Sequence, residues 1–189
     1  MKGFEKFKVC VYRLVLFALC VLVTAYFLVP YVFKNVLYVR QFEEFVTDAS
    51  KRYDVDESLI FAVIKSESNF NVHAVSSMNA KGLMQLLDST AGEMLYQLSD
   101  DSLSEDLFDP RNNIFIGTKY LSVLIKRYNS VPLAIAAYNG GIGNVDKWIA
   151  DGTVSKEDAD SLDNIPFAET RMYVKKVLRT YNIYEMLYK

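Results

Sequence analysis

Apolar positions along this chain fall into one long uninterrupted run and a series of shorter periodic ones. Leu14 to Phe33, LVLFALCVLVTAYFLVPYVF, carries no charge and has the ~20-residue length a helix needs to cross a bilayer. It is longer than the core of a signal peptide, and no A-x-A cleavage site follows it, so the reading is a retained membrane helix. The competing reading is a buried helix of a soluble fold, but the chain has no second run of matching apolarity to cover it. Pro30 is expected to bend this helix without ending it. From Asn35 to Arg52, the positions Val36, Leu37, Val39, Phe42, Phe45, Val46 and Ala49 give an amphipathic pattern, predicted as a helix that can pack on the domain and act as a stalk.

The remaining runs are short and helical in period. Asp54 and Asp56 offer a cap for a helix ending near Glu67, with Leu59, Ile60, Val63 and Ile64 on one buried face. A polar stretch from Ser68 to Lys81 reads as a loop, and Gly82 opens the apolar turn Leu83-Met84-Gln85-Leu86-Leu87. Ser89 to Leu98 and Asn112 to Tyr128 are predicted helices. In the second, Gly117 would let another backbone approach closely. Pro132 suits an early position in the next helix, which Gly140-Gly141 would end. A short helix from Gly143 to Ile149 carries Trp148 as a core anchor. Gly152 to Asp163 is a polar loop that could line a groove, and Pro166 opens the last helix, whose apolar face includes Tyr173, Val174 and Val177. No comparable run alternates with a period of two, so the fold class is all-α.

Composition narrows the function. In 189 residues there is room for one domain and one extra element. A net charge of −2, with no basic patch interleaved with aromatics, excludes nucleic acid as a partner. Lys2, Lys6, Lys8 and Arg13 crowd the N-terminal flank of the long apolar run more densely than Lys34 and Arg40 crowd its exit, which places the N-terminus in the cytoplasm. Cys10 and Cys20 would lie about 15 Å apart on one helix, too far to bridge. His73 has no Cys or His companion, and the acidic run from Asp100 to Asp109 lacks calcium-loop spacing, so no metal and no cofactor is expected.

Glu67 is the residue with chemical promise. Counting on by three and four from the stripe of its helix lands on it, so its carboxyl falls on a core face, where burial disfavours the charged form and raises the pKa. A general acid needs that. A helix-end Glu reaching solvent fits the same period. Gln85, the one polar group in its apolar turn, needs a partner and is expected to face the same cleft.

The residues around these two form a recognisable set. Glu67-Ser68-x-Phe70, Ala74-x-Ser76, Ala80-x-Gly82-Leu83-Met84-Gln85-Leu86 and Ser89-Thr90-Ala91 resemble the catalytic motif of the lysozyme-like lytic transglycosylases of the soluble (SLT) type. Asp109-Pro110 with Asn113-Ile114, Gly117 and Tyr120-Leu121 resembles that family's second motif. Ala137 to Gly141 resembles the third, and Glu169-Thr170-Arg171 with Tyr173-Val174 the fourth. Three positions depart from the pattern: Asn79 replaces Gly, Leu87 a common Met and Asp88 the usual Pro. Asn tolerates a left-handed backbone, and Asp88 can cap the following helix.

The resemblance implies a lysozyme-like domain acting on peptidoglycan. It implies cleavage of the bond between N-acetylmuramic acid and N-acetylglucosamine with closure of a 1,6-anhydro ring, Glu67 serving as acid and then base. By the same resemblance Ser76, Gly82 and Gln85 bind substrate, Tyr138 hydrogen-bonds near Glu67 and orients it with Asn139 beside it, and Glu169 either contacts the sugar or pairs with Arg171 or Lys175. The expected division is a basic N-terminus over 1–13, a membrane helix over 14–33, a stalk over 34–52 and a catalytic domain over 53–189. Two other functions stay open: a muramidase-type hydrolase using Asp88 or Glu93 as a second carboxylate, and a membrane-tethered glycan-binding protein without turnover.

Overall fold

In the computed structural model, which describes residues 2–98, 102–155 and 159–189, the long apolar run lies within helix α1, Lys2–Val32, except for its last residue, Phe33. The helix continues through Pro30 and passes into one π-helical turn, Phe33–Leu37, closed by the Tyr38 N–H on the Phe33 carbonyl at 2.8 Å. Among the described residues it is the one helix long and apolar enough to cross a membrane. Its side chains are bare, with Phe17 71% and Tyr26 73% exposed. The chain divides into two compact units, Met1–Arg40 and Gln41–Lys189, and the second carries every candidate site residue.

The helix expected over 35–52 forms only in its second part, and that part packs on the domain as expected. Residues 38–42 leave helical geometry, Phe42 turns left-handed at φ 59°, and α2 spans Glu43–Tyr53. Glu43 and Glu44 put two carboxylates in its first turn, which favours a helix start. Val46 and Ala49 are fully buried, so α2 is part of the core of the second unit. It packs on α3, Glu57–Glu67, and on α5, Pro110–Tyr128, where the Ser122 hydroxyl donates to the Tyr53 carbonyl at 2.7 Å.

Helix α3 starts where its sequence says, with the Asp56 carboxylate accepting from the Ser58 N–H at 2.8 Å. It buries more than the expected stripe: Phe61 and Ala62 are inside along with Leu59, Ile60, Val63 and Ile64. The reason is that α3 is covered both by α2 and by the last helix, α8, Ala168–Tyr188, against which Phe61 stacks on Tyr184 with ring centroids 5.5 Å apart. Between them in the chain lie α4, Asp88–Leu98, α6, Val131–Gly140, and α7, Ile142–Ala150. Ser130 caps α6, and Leu133 to Ala137 are all buried, which makes this small-residue helix the centre of the unit, in contact with α5, α7 and α8. Trp148 is buried on α7, with its ring edge-on to Phe167 at 5.2 Å. The last helix starts at Ala168 instead of Pro166.

No strand forms among the described residues; two isolated bridges, Val75 with Lys81 and Lys81 with Leu86, pin the loop after α3. The all-α expectation therefore holds. The sequence-predicted loop from Gly152 to Asp163 lies partly outside the described residues, and its described part contains a 3-10 turn, Ala159–Asn164.

Candidate active site

A groove of about 470 Å³ opens beside the end of α3, and Glu67, Ser76, Gln85, Tyr138, Asn139 and Glu169 all line it. Of the seven residues singled out from sequence, Gly82 alone is not on its wall. Gly82 is buried behind the loop with φ +75°, and a Cβ there would run into the Leu107 carbonyl and the Asn113 side chain. Its role is to let the loop pass tightly, with its N–H on the Ala74 carbonyl at 2.9 Å.

The loop that forms one wall is held by amides. Asn113 on α5 is fully buried. Its oxygen accepts from the Met84 N–H at 2.7 Å, and its nitrogen donates to the carbonyls of Lys81 at 3.0 Å and Leu107 at 2.9 Å. Gln85, left-handed at φ 50°, donates to the Ala74 and Gly82 carbonyls at 3.1 and 2.9 Å. Gln85 thus lines the groove while its amide nitrogen is engaged in closing the loop. Ser76 does similar work, its hydroxyl accepting from the N–H groups of Met78 and Ala80 at 3.2 and 3.1 Å. Asn79 adopts φ 60°, the left-handed conformation that its side chain tolerates. Asp88 pairs with Lys81 at 2.7 Å on the outer face.

Met84 joins this wall to the helices. Its side chain fills the space that a Cβ on Gly117 would occupy, so the close approach at Gly117 is by a side chain and not by a backbone. Its carbonyl accepts from the Tyr138 hydroxyl at 2.8 Å. Tyr138 therefore does not supply the hydrogen bond expected of it toward Glu67. That bond comes from Tyr173 on α8, whose hydroxyl donates to Glu67 Oε1 at 2.6 Å. Tyr173 reads from sequence as an apolar position within the fourth motif, with no role assigned to its hydroxyl. The signal that could have found it is its spacing four residues after Glu169, which puts both on one helix face.

The surroundings of Glu67 decide its charge. Burial pushes its carboxyl up to about 7, against the opposing influence of the Tyr173 hydrogen bond and the positive charge of Lys176. Burial, and then the Glu67 charge, push the hydroxyls of Tyr138 and Tyr173 well above the ordinary phenol value. Both stay protonated near neutrality and act as donors. Glu169 is exposed on the opposite lip. Neither expected ion pair on its helix forms: Lys175 pairs with Asp163 at 2.7 Å, and Arg171 donates to the Ile165 carbonyl at 2.5 Å. Chemically, the groove offers one carboxyl able to give up and regain a proton near neutral pH, a phenol that steadies its ionised form, and apolar wall at Met78 and Leu87.

Several known proteins are similar to this chain in sequence and fold. The membrane-bound lytic murein transglycosylase C of Photorhabdus laumondii is 39% identical over 154 residues, covering 70% of this chain and 43% of that protein. The 70 kDa soluble lytic transglycosylase of Escherichia coli superposes with a TM-score of 0.74 at 31% identity, covering 79% of this chain and 25% of that one. An inactive glutamate-to-glutamine mutant of lytic transglycosylase Slt from Pseudomonas aeruginosa gives 0.72 at 32% identity, with 79% and 24% covered. The chain thus spans less than half the length of the relatives it matches. The family model of the transglycosylase SLT domain matches residues 44–160, from the first turn of α2 past the Tyr138 wall of the groove, and by that match and the shared helical fold the chain belongs to the SLT transglycosylase family.

Proposed function

We propose that this protein is a membrane-anchored lytic transglycosylase that cuts the glycan strands of peptidoglycan between N-acetylmuramic acid and N-acetylglucosamine. The observation that carries the reading is Glu67, raised toward neutrality in a sugar-sized groove and held by Tyr173. The protonated carboxyl donates to the glycosidic oxygen as its bond to the muramyl C1 breaks. The ionised carboxylate then takes the proton of the muramyl C6 hydroxyl, whose oxygen bonds to C1 and closes a 1,6-anhydro ring. No water is consumed, and Glu67 ends protonated, as it began.

Ser76, Gln85, Asn139 and Glu169 are the groove residues offered to the sugars, while Gly82 supports the wall from behind. Tyr138 acts through Met84, fixing the loop, and Tyr173 stabilises the carboxylate between the two proton transfers. Glu169 is the other carboxylate on the groove lining, and Asp88 is engaged with Lys81. Neither Asp88 nor Glu93, the second carboxylates a hydrolase would draw on, is on the groove lining, which favours a single acid–base residue.

The segment Leu14 to Phe33 crosses the bilayer with the N-terminus in the cytoplasm, and the second unit works outside on the cell wall. The relative from P. laumondii is named as membrane-bound, which supports tethering. The test is digestion of purified sacculi by the detergent-solubilised chain, followed by mass spectrometry of the muropeptides. The expected product is anhydro-muramyl, and a free reducing end in its place would reject the mechanism.

A further inference from the structure

The end of α3 is closed by another helix. The Ile64 and Lys65 carbonyls of its last turn accept from the N–H groups of Ser68 and Asn69, at 3.0 and 3.2 Å. The next carbonyl, that of Ser66, accepts from Lys176 on α8, whose ammonium donates to it at 2.7 Å. Lys176 follows Tyr173 by three residues, so one face of α8 presents a phenol to Glu67 and a cation to the residue before it. An ammonium at a helix C-terminus is also favoured by the helix dipole.

We propose, resting on the acid–base reading of Glu67, that Lys176 is a positioning residue: its ammonium holds the α3 terminus and supplies the positive field under which Glu67 can serve as the base. The other groups around the carboxyl do not supply that field. Tyr138 from α6, Tyr120 from α5 and Tyr173 from α8 are neutral phenols, and Glu169 on α8 is an acid. The Ser76–Leu87 loop lines the groove with no charged side chain. Lys65, on α3 itself, is directed to the Asn69 side chain at 3.1 Å, and burial followed by repulsion from Lys176 lowers its own affinity for a proton. The influence of Lys176 on Glu67, favouring ionisation against burial, agrees with this arrangement. Without it, burial would hold the proton too firmly for the second transfer.

The test is a 13C-carboxyl NMR titration of Glu67 in the full chain in detergent micelles, assigned with Glu67→Gln, for the parent and for Lys176→Met, Lys176→Gln and Lys176→Arg. The expected result is a midpoint higher by about half a pH unit in the Met and Gln variants, roughly a threefold change in the ionised fraction ratio, and a parental midpoint in the Arg variant. The alkaline limb of kcat on sacculi should move with it. A Gln variant with the parental midpoint, or an Arg variant displaced as far as Gln, overturns the proposal, and these two decide the matter even if the Met variant fails to fold. Because the titration is read on free protein, its outcome is separate from that of the product analysis, which alone tests the reaction.

Discussion

At the scale of single residues, the carboxyl of Glu67 ties its proposed acid–base role to the stability of the fold. Its value in the folded protein is about 7 against an ordinary 4.5, so folding favours the protonated form. Stability is then unpenalised below the ordinary value and falls as pH rises between the two, with a cost on the order of 3 kcal/mol above the folded value. Glu67→Gln removes that cost. The variant is expected to be inactive by about 10³-fold or more, yet to melt higher than the parent above pH 7 and no higher near pH 4, in calorimetry across that range. A variant equally active on sacculi would move the chemistry to another residue.

Tyr173 and Tyr138 give a paired prediction. Tyr173→Phe removes the bond that favours the ionised carboxylate, so the alkaline limb of activity should shift upward and kcat should fall by about 10- to 100-fold. Tyr138→Phe frees only the Met84 carbonyl and should chiefly cost stability, about 1–2 kcal/mol, with the pH profile in place. If the two pH profiles were interchanged, the hydrogen-bond assignment would be wrong. Sequence made Glu67 legible because a carboxylate prolonging a buried stripe is followed at once by the motif residues from Ser68 to Gln85; the stripe alone fits a solvent-reaching Glu as well. Tyr173 was not legible in the same way, since a tyrosine in an apolar stripe needs no explanation until the partner of its hydroxyl is known.

At the scale of elements, the groove wall depends on what lies behind it. Asn113 holds three backbone groups of the loop region. Asn113→Leu should leave them unsatisfied and cost on the order of 3 kcal/mol in urea unfolding. Gly82→Ala combines a left-handed backbone with contact against the Leu107 carbonyl, and a similar loss is expected. Gly82 was read as a ligand because its motif places it among ligands; sequence proximity does not say which side of a loop faces the groove. Helix periods survived better, since α3, α5 and α6 each carry a capping side chain and a buried face near the expected positions. The stalk failed at Phe42, where apolar spacing continues but the backbone turns left-handed. Periodicity records which positions are apolar, not whether the chain between them stays helical.

At the scale of the whole molecule, the boundary between the two units decides what can be cut away. A chain starting at Gln41 keeps Val46, Ala49 and Tyr53 in the core and should be soluble, cooperative in unfolding and active on sacculi. A chain starting at Asp54 loses those three side chains and should be destabilised by several kcal/mol, seen as a broad transition or as aggregation. Equal stability of the two would make α2 an accessory instead of a core helix.

The bond between Tyr173 and Glu67 joins positions 106 apart in the chain. Until α8 packs on α3, Glu67 lacks the phenol that steadies its ionised form. The proposed proton shuttle is therefore assembled by tertiary folding alone, from two helices that meet only in the packed domain.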